Sequence, residues 1–278
     1  SGDFAVLYNK KNKAAIEDSG IPTFGLKKIA KNAIVVKPIR IGLWDSYGGS
    51  MPSGWTRFLL EEYGYNFKVI YAPTIDKGHL HEQFDVIILP SNAIFRPDNT
   101  TNKPSNIPEP YASQWGNLTL AQSLPALENF VKKGGQLIAI GGSSQIVDHL
   151  QLGVANHLVD EASNALKREV YYTPGSILTA QIDNSKPATM GYDPAIDFYF
   201  SNNNVYRITD PTIQPLMWFE GDKFLKSGWS WGEQYLKNGV LGFEKNIDQG
   251  KITIFTPDIT FRAQAHGTFQ LLFNPLYH

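Results

Sequence analysis

The sequence predicts an α/β fold: a three-layer sandwich with a mostly parallel central sheet and an antiparallel annex. In the first half of the chain, short and wholly apolar segments such as 86–89 and 137–140 alternate with helical patterns. Such segments are typical of strands that are buried on both faces of a parallel sheet. Beyond about Val170 the sequence is rich in β-formers and aromatic residues, with a hairpin pattern over 240–255. These observations together favour one large domain with a mixed sheet.

Composition excludes several classes of function. The 278 residues carry 25 Lys and Arg against 26 Asp and Glu, a formal net charge of −1, whereas nucleic-acid binders usually carry a basic surplus. The chain has no cysteine, so disulfides, zinc–thiolate sites and cysteine nucleophiles are excluded. No segment approaches the ~20 apolar residues of a transmembrane helix, so we expect no membrane span. Because the chain begins Ser-Gly rather than Met, we expect it to be a piece of a longer protein.

The elements follow in order along the chain. We expect 1–38 to be a lead-in segment and 39–278 to be the main domain. Apolar runs and helical spacing predict a strand at 41–44, a helix at about 53–63, and strands at 67–71, 86–89 and 136–140. Further strands are predicted at 177–182, 205–208, 215–219, 240–244 and 251–255, with helices at about 123–133 and 266–276.

The segment 91–118 is a long insertion without periodicity. It is rich in Pro and Asn, which are typical of loops. Loops of this length inside a compact domain are usually functional or flexible. Since it leaves the strand at 86–89 at its carboxyl end, we expect it to cover that edge of the sheet as a lid.

Candidate binding residues lie just after the predicted strands, because ligands of open α/β sheets bind outside the carboxyl ends of the strands. The loops after these strands contain Ser46, Ser143, Arg262 and His266, which we expect to line one cleft. We expect the ligand of this cleft to be a small polar molecule or peptide. The guanidinium of Arg262 would favour a ligand with a carboxylate. In the alternative, Arg262 pairs with Asp258 and only holds the loop.

Ser143 is also a candidate nucleophile. The run from Leu137 to Gln145 has the outline of a strand-to-helix elbow that exposes one side chain, although the second glycine of G-x-S-x-G is missing. His266 would then act as the base and Asp258 would orient it. The alternative is a Gly/Ser turn that enters a helix and has no chemical role.

Two further patterns have both a functional and a structural interpretation. His79 and Glu82 match the H-x-x-E spacing of zinc ligands, but no third ligand accompanies them, and we favour a polar surface connection. Trp229 and Trp231, with Trp218 and Trp55, either form a surface on which sugars stack or belong to the core.

Several segments together resemble a known family. These are RIGLWDSY at 40–47, MPSGWTRFLLEEY at 51–63, FDVIILP at 84–90, YTPGSIL at 172–178, SGW at 227–229 and FRAQAHGTFQLLFN at 261–274. They resemble the carboxy-terminal domain of large secreted bacterial proteins of the zinc carboxypeptidase family (carboxypeptidase A-like). That domain has a class I glutamine amidotransferase-like, flavodoxin-like fold, which the resemblance implies for residues 39–278.

The chain departs from true glutamine amidotransferases at both catalytic positions. Those enzymes carry a Cys on the elbow, where Gly141 to Ser143 stand here, and a His-Pro-Glu where Thr256-Pro257-Asp258 stand here. A thiolate–imidazole pair performs glutamine hydrolysis, so the resemblance implies a fold without this activity.

We therefore expect a non-catalytic accessory domain that binds substrate or packs on an upstream peptidase domain of the same polypeptide. The resemblance implies a secreted or periplasmic location, and it places zinc only in that upstream domain, with no cofactor or metal in this chain. The alternatives are a serine-type hydrolase that uses Ser143 and His266, and a module that binds small ligands or sugars.

Overall fold

The computed structural model describes residues 5–29, 37–98 and 103–277. It divides into two compact units, Ser1–Pro38 and Ile39–His278. Parts of the lead-in segment (1–4 and 30–36) and of the insertion (99–102) lie outside the described residues. The first unit contains one short helix, α1 (Lys13–Asp18), which buries none of its residues.

The second unit contains the sheet and the remaining helices. The strands are β1 (Ile41–Trp44), β2 (Phe67–Ile70), β3 (Val86–Leu89), β4 (Gln136–Ile140), β5 (Val154–Asn156), β6 (Ser176–Ile182), β7 (Ala195–Phe200), β8 (Tyr206–Ile208), β9 (Gln214–Trp218), β10 (Leu225–Ser227), β11 (Val240–Ile247) and β12 (Gly250–Phe255). The helices are α2 (Met51–Glu62), α3 (Ala72–Asp76), α4 (Leu80–Gln83), α5 (Ser123–Lys132), α6 (Ile146–His149) and α7 (Phe269–Phe273).

All strands belong to one 12-stranded sheet, with the main order β10-β6-β9-β11-β12-β4-β3-β1-β2. Five adjacent strands are parallel to one another: β2, β1, β3, β4 and β12. β11 is antiparallel to β12 and joins this group to the antiparallel strands. The predicted parallel strands therefore lie side by side, as expected. The antiparallel annex continues the same sheet and is not a separate layer.

Two apolar cores cover the two faces of the parallel strands. Alternate side chains of β3 point to opposite faces, so that Val86 and Ile88 join one core while Ile87 and Leu89 join the other. We call these the first and the second face. Helices α2 and α7 cover the first face, and α3 and α5 cover the second. The predicted three-layer α/β sandwich is confirmed.

The end of the chain differs from the prediction. The expected helix over 266–276 is split into 3-10 turns at His266–Thr268 and Asn274–Tyr277, with only α7 between them. Gly267 weakens the first turn, and Pro275 has no N–H with which to continue an α-helix. Across the described ranges, no helix is long and apolar enough to cross a membrane.

Candidate functional site

The parallel strands bring their carboxyl ends to one edge of the sheet. In register, Leu89 of β3 lies opposite Ala139 of β4, and Phe255 of β12 lies opposite Ile140. The loops that follow β1, β3, β4 and β12 therefore start at the same edge, which we call the carboxyl edge. Ser46, Ser143 and Asp258 follow these strands closely.

The loop after β1 is organised by a carboxylate. Asp45 Oδ1 accepts hydrogen bonds from the backbone N–H groups of Ser46 (2.8 Å) and Ser50 (2.9 Å). Ser50 in turn caps α2, because its side chain accepts a hydrogen bond from the N–H of Ser53 at 3.3 Å. Ser46 is half-buried in this loop.

The insertion packs on the same loop. Its ends are closed by a parallel bridge between Arg96 and Thr119, with the N–H of Arg96 donating to the carbonyl of Leu118 at 2.9 Å. Near its end, Trp115 makes an edge-on ring contact with Tyr47 at 5.2 Å between centroids. The described part of the insertion thus contacts the loop after β1 through Trp115.

Ser143 is fixed inside the protein. It lies in a 3-10 turn (Gly141–Gln145) directly after β4, and it is 1% exposed. Its Oγ donates a hydrogen bond to the backbone carbonyl of Pro90 and accepts one from the N–H of Ala93 at 2.9 Å. The hydroxyl proton is therefore already committed to a main-chain acceptor. A nucleophile needs the opposite arrangement: an exposed oxygen whose proton is held by a base.

The turn before Ser143 requires glycine. Gly141 has φ +60°, and a Cβ there would lie 2.7 Å from Ser91 Oγ. Ser91 Oγ accepts a hydrogen bond from the N–H of Gly142 at 3.0 Å. The loops after β3 and β4 are thus joined directly, and the space that an elbow nucleophile would face is filled by protein.

Asp258 is a carboxyl group in a mostly buried setting. Burial raises its pKa above the ordinary value, although a hydrogen bond from Thr260 opposes the shift. Thr260 Oγ1 lies 3.3 Å from Asp258 Oδ1 and 3.2 Å from Thr56 Oγ1 of α2. Both Asp258 and Arg262 are described, and no ion pair joins them. The alternative in which Arg262 pairs with Asp258 is therefore not supported by the structure.

Arg262 points into solvent from a strained turn. It is exposed, and it and Ala263 both adopt left-handed backbone angles, with φ +53° and +50°. Its guanidinium lies 5.7 Å from the ring of Phe261, and that ring stacks on Tyr199 at 3.9 Å. Arg262 is held above the annex, and it does not line the cavity described next.

His266 lines a cavity of about 500 Å³ on the first face. The imidazole lies 4.9 Å from the ring of Phe269. Polar groups around it come from Tyr63 at the end of α2, Asp193 and Asp197 beside and within β7, and Gln270 of α7. Of these acids, Asp197 already accepts a hydrogen bond from Thr179 at 2.5 Å. The cavity offers hydrogen bonds to a small polar molecule, and its acidic lining does not favour a carboxylate.

The structure separates the candidate catalytic residues. Ser143 is bonded to Ala93, which belongs to the core of the second face, whereas His266 packs on Phe269, which belongs to the core of the first face. No hydrogen bond joins Ser143 to His266 or His266 to Asp258 in the described part of the chain. The expected single cleft is thus divided into the carboxyl edge and the His266 cavity.

Sequence reasoning missed the other walls of the His266 cavity. Asp193 and Asp197 belong to the turn and strand that pair back on β6, and no motif marks them. Asp193 and Asp197 come to lie beside α2 and α7 only when the antiparallel annex folds.

The two residues of the H-x-x-E pattern pair with each other. His79 Nδ1 and Glu82 Oε1 lie 2.9 Å apart, and both side chains are exposed. Within residues 5–29, 37–98 and 103–277, no group of three or more His, Cys, Asp or Glu side chains is placed to hold a metal ion.

Comparison with known proteins identifies the fold. No protein-family model matches the chain, and no curated protein matches it significantly. A candidate GMP synthase component from Thermoplasma acidophilum is 10% identical with a TM-score of 0.50, over 86% of this chain and 92% of that one. A β-galactosidase from Bacillus circulans sp. alkalophilus is 12% identical with a TM-score of 0.50, over 85% of this chain but only 30% of that one. A glutamine amidotransferase from Thermotoga maritima is 11% identical with a TM-score of 0.49, over 86% and 84%.

At such low identities a likeness concerns the fold and not the activity. The order of parallel strands, the helices on both faces and the two matches with a TM-score of 0.50 agree with the fold that the sequence predicts. The chain therefore has a mixed α/β fold of the class I glutamine amidotransferase-like type.

Proposed function

We propose that this chain is a non-catalytic domain with a glutamine amidotransferase-like fold, and that it serves as an accessory domain of a secreted zinc carboxypeptidase-like protein. The observation that carries the first half of the proposal is the state of Ser143. It belongs to the run Gly141 to Ser143, which stands where glutamine amidotransferases carry their nucleophilic Cys, and its hydroxyl is buried and bonded to Pro90 and Ala93.

The second catalytic position supports the same conclusion. Where the amidotransferases bear the His of His-Pro-Glu, this chain has Thr256, which is fully buried. The nearby Asp258 has a raised pKa because it is buried, but none of the histidines that the structure describes forms a hydrogen bond or ion pair with it. Without a thiolate and its base, glutamine hydrolysis has neither a nucleophile nor a proton acceptor.

The accessory role rests on the resemblance and on the groups available for binding. In this proposal the partner is an upstream peptidase domain of the same polypeptide, in a secreted or periplasmic protein, and zinc belongs to that domain alone. The cavity around His266, with Tyr63, Asp193 and Gln270 in its wall, supplies hydrogen bonds for a peptide or small polar ligand. A recessed site with a few polar groups is the usual form of such a binding site.

Two assays test the proposal on the purified chain. The first measures glutamine hydrolysis by ammonia release and the hydrolysis of model esters and amides, with an active glutamine amidotransferase as the positive control. We expect no turnover. Turnover that Ser143→Ala abolishes would replace the proposal with the serine-hydrolase alternative.

The second assay mixes the chain with the domain encoded immediately upstream and measures complex formation and peptide hydrolysis. We expect a complex, or a lower KM for peptides when both parts are joined. A Gln270→Ala variant tests whether the His266 cavity contributes to peptide binding, and Gln264→Ala, at an exposed position outside the cavity lining, is its matched control. An upstream frame without a zinc peptidase would contradict the accessory role.

A further inference from the structure

Three aromatic side chains lie near one another in the annex, two of them exposed and one half-buried. They are Tyr172, Trp229 and Trp231, and we call them the aromatic platform. Trp229 is 52% and Trp231 is 53% exposed. Large apolar rings in solvent are unfavourable unless they bind something, so clustered ones mark interaction sites. The platform shares no residue with the His266 cavity.

The backbone places the three rings on one side. Tyr172 and Trp231 form an isolated antiparallel bridge, and each donates its N–H to the other's carbonyl at 2.9 Å. Residues directly opposite in such a pair project to the same face. The ring of Trp229 meets that of Tyr172 edge-on at 6.1 Å and therefore lies beside the pair.

Hydrogen bonds hold the platform rigid. Ser176 Oγ accepts from the N–H of Trp229 at 2.9 Å and donates to the carbonyl of Trp229 at 2.6 Å. The indole N–H of Trp231 donates to the carbonyl of Glu169 at 2.8 Å. These bonds fix the main chain of one tryptophan and the ring of the other. A surface ordered in advance loses little entropy when a ligand binds.

Two glycines make this arrangement possible. Gly228 has φ +100°, and a Cβ there would lie 2.6 Å from Ser176 Oγ. Gly232 has φ +74°, and a Cβ there would lie 2.2 Å from the carbonyl oxygen of Val170. Both tryptophans are thus presented by a turn that no other residue type fits without displacement.

A cation completes the platform. The guanidinium of Arg168 lies 4.0 Å from the centre of the Tyr172 ring. Arg168 is exposed and has no ion pair among the described residues, so its N–H groups are available to accepting oxygens. Its chain neighbours are Lys167 and Glu169, so that the three residues together carry two positive charges and one negative charge.

We infer that the aromatic platform binds a neutral saccharide. A pyranose ring has an apolar C–H face that stacks on an aromatic ring and a rim of hydroxyls that accept hydrogen bonds from a guanidinium. Trp229 and Trp231 are two residues apart in the chain and both are exposed, so that one oligosaccharide can reach both rings. The hydroxyls of an uncharged sugar are sufficient acceptors for this one guanidinium. This inference goes beyond the proposed function and does not rest on it.

Binding to β-linked oligosaccharides tests the inference. The probes are cellohexaose, xylohexaose and chitohexaose, each titrated into the full chain while tryptophan fluorescence and heat are recorded. We expect at least one probe to bind. Trp229→Ala and Trp231→Ala are each expected to weaken the binding of that probe up to about tenfold, which is roughly the factor that one aromatic contact contributes. Phe58→Ala is the matched control, because Phe58 is also an exposed ring (48%) but lies on α2.

Other outcomes would overturn it. Failure of all three probes to bind, or equal binding by wild type and both tryptophan variants, would show that the platform takes no neutral glycan. Preferential binding of a proline-rich peptide at the same residues would assign the platform to a protein partner instead. Because Trp231 also bonds to Glu169, Trp231→Phe keeps a ring in place if Trp231→Ala fails to fold. Loss of glycan binding leaves the hydrolysis and complex-formation assays unaffected, so the two proposals fail separately.

Discussion

The N–H of Ala93 donates a hydrogen bond of 2.9 Å to Ser143 Oγ, which ties the loop after β3 to the turn after β4. Ser143 in turn donates to the carbonyl of Pro90. One hydroxyl thus satisfies a donor and an acceptor of the neighbouring loop in a place that water does not reach. This relationship makes Ser143 a structural residue.

Ser143→Ala is therefore expected to lower stability and to change no activity. The substitution leaves the N–H of Ala93 and the carbonyl of Pro90 without their partner, which costs about 1–3 kcal/mol. Urea unfolding followed by fluorescence measures the change. Ser46→Ala, at a half-buried serine on the same edge, is the control and is expected to change stability by less than about 0.5 kcal/mol. Equal effects of the two substitutions would contradict this role.

Ser143→Cys is expected not to create glutaminase activity. Ser143 is 1% exposed, so a sulfur in its place would also be buried. His266 lies on the other face of the sheet. A cysteine without an adjacent base stays mostly protonated and cannot reach substrate. Ammonia release from glutamine measures the result against the wild-type chain. A gain of turnover in this variant would mean that the turn opens to solvent.

Gly141→Ala is expected to destabilise the carboxyl edge. The residue has φ +60°, and its new Cβ would meet Ser91 Oγ at 2.7 Å, so both strain and a clash oppose the change, at a cost of roughly 1–3 kcal/mol. Gly54→Ala is the matched control: it lies inside α2 with nothing within 4 Å of the added Cβ. There the same change is expected to stabilise by about 0.5–1 kcal/mol. Thermal or urea unfolding measures the change in stability of each variant, and we expect the two changes to have opposite signs.

The sequence predicts the central parallel strands because they are apolar runs that need two covered faces, whereas β2 at the edge of the sheet carries the exposed Lys68. Segments 41–44 and 86–89 illustrate this: all their residues are buried. The prediction of one long helix at the end was wrong, because the apolar spacing of Phe269, Leu272 and Phe273 outweighed Gly267 and Pro275, at which the structure breaks the helix.

The site was predicted less well, for a physical reason. The position of Ser143 along the chain places it at the carboxyl edge, but the partners that bury it, Pro90 and Ala93, lie 53 and 50 residues away. The left-handed turn at Arg262 likewise has no sequence signal, because glycine is absent there. Local patterns locate loops, whereas side-chain direction depends on contacts that are distant in sequence.

The pair of Asp210 and Lys245 is expected to stabilise the fold at neutral pH. Lys245 Nζ lies 2.8 Å from Asp210 Oδ2, and this hydrogen bond, with others from Thr212, lowers the pKa of Asp210 to about 2. A carboxyl group with a lowered pKa contributes stability above its ordinary value of 3.8, and that contribution is lost as the pH falls toward about 2. Asp210→Asn should therefore be less stable than wild type at pH 7, with the difference shrinking through this window. Urea unfolding of both proteins across this range checks it. A difference that stays constant with pH would contradict the ionic origin.

Asp258 is expected to behave in the opposite way. Burial raises its pKa above the ordinary 3.8, so just above that value the folded chain keeps a proton that the unfolded chain has lost. Stability then decreases as the pH rises through the window between the unfolded and the folded pKa, and the fold carries a buried charge at neutral pH. Asp258→Asn removes the charge and keeps an oxygen acceptor for Thr260, which lies 3.3 Å from Oδ1. We expect this variant to be more stable than wild type at pH 7 and its stability to lack the decrease, as measured by urea unfolding at several pH values from 4 to 8. If the variant is instead less stable at pH 7, the carboxylate has a cationic partner there, and the carboxyl edge is an ionic site after all.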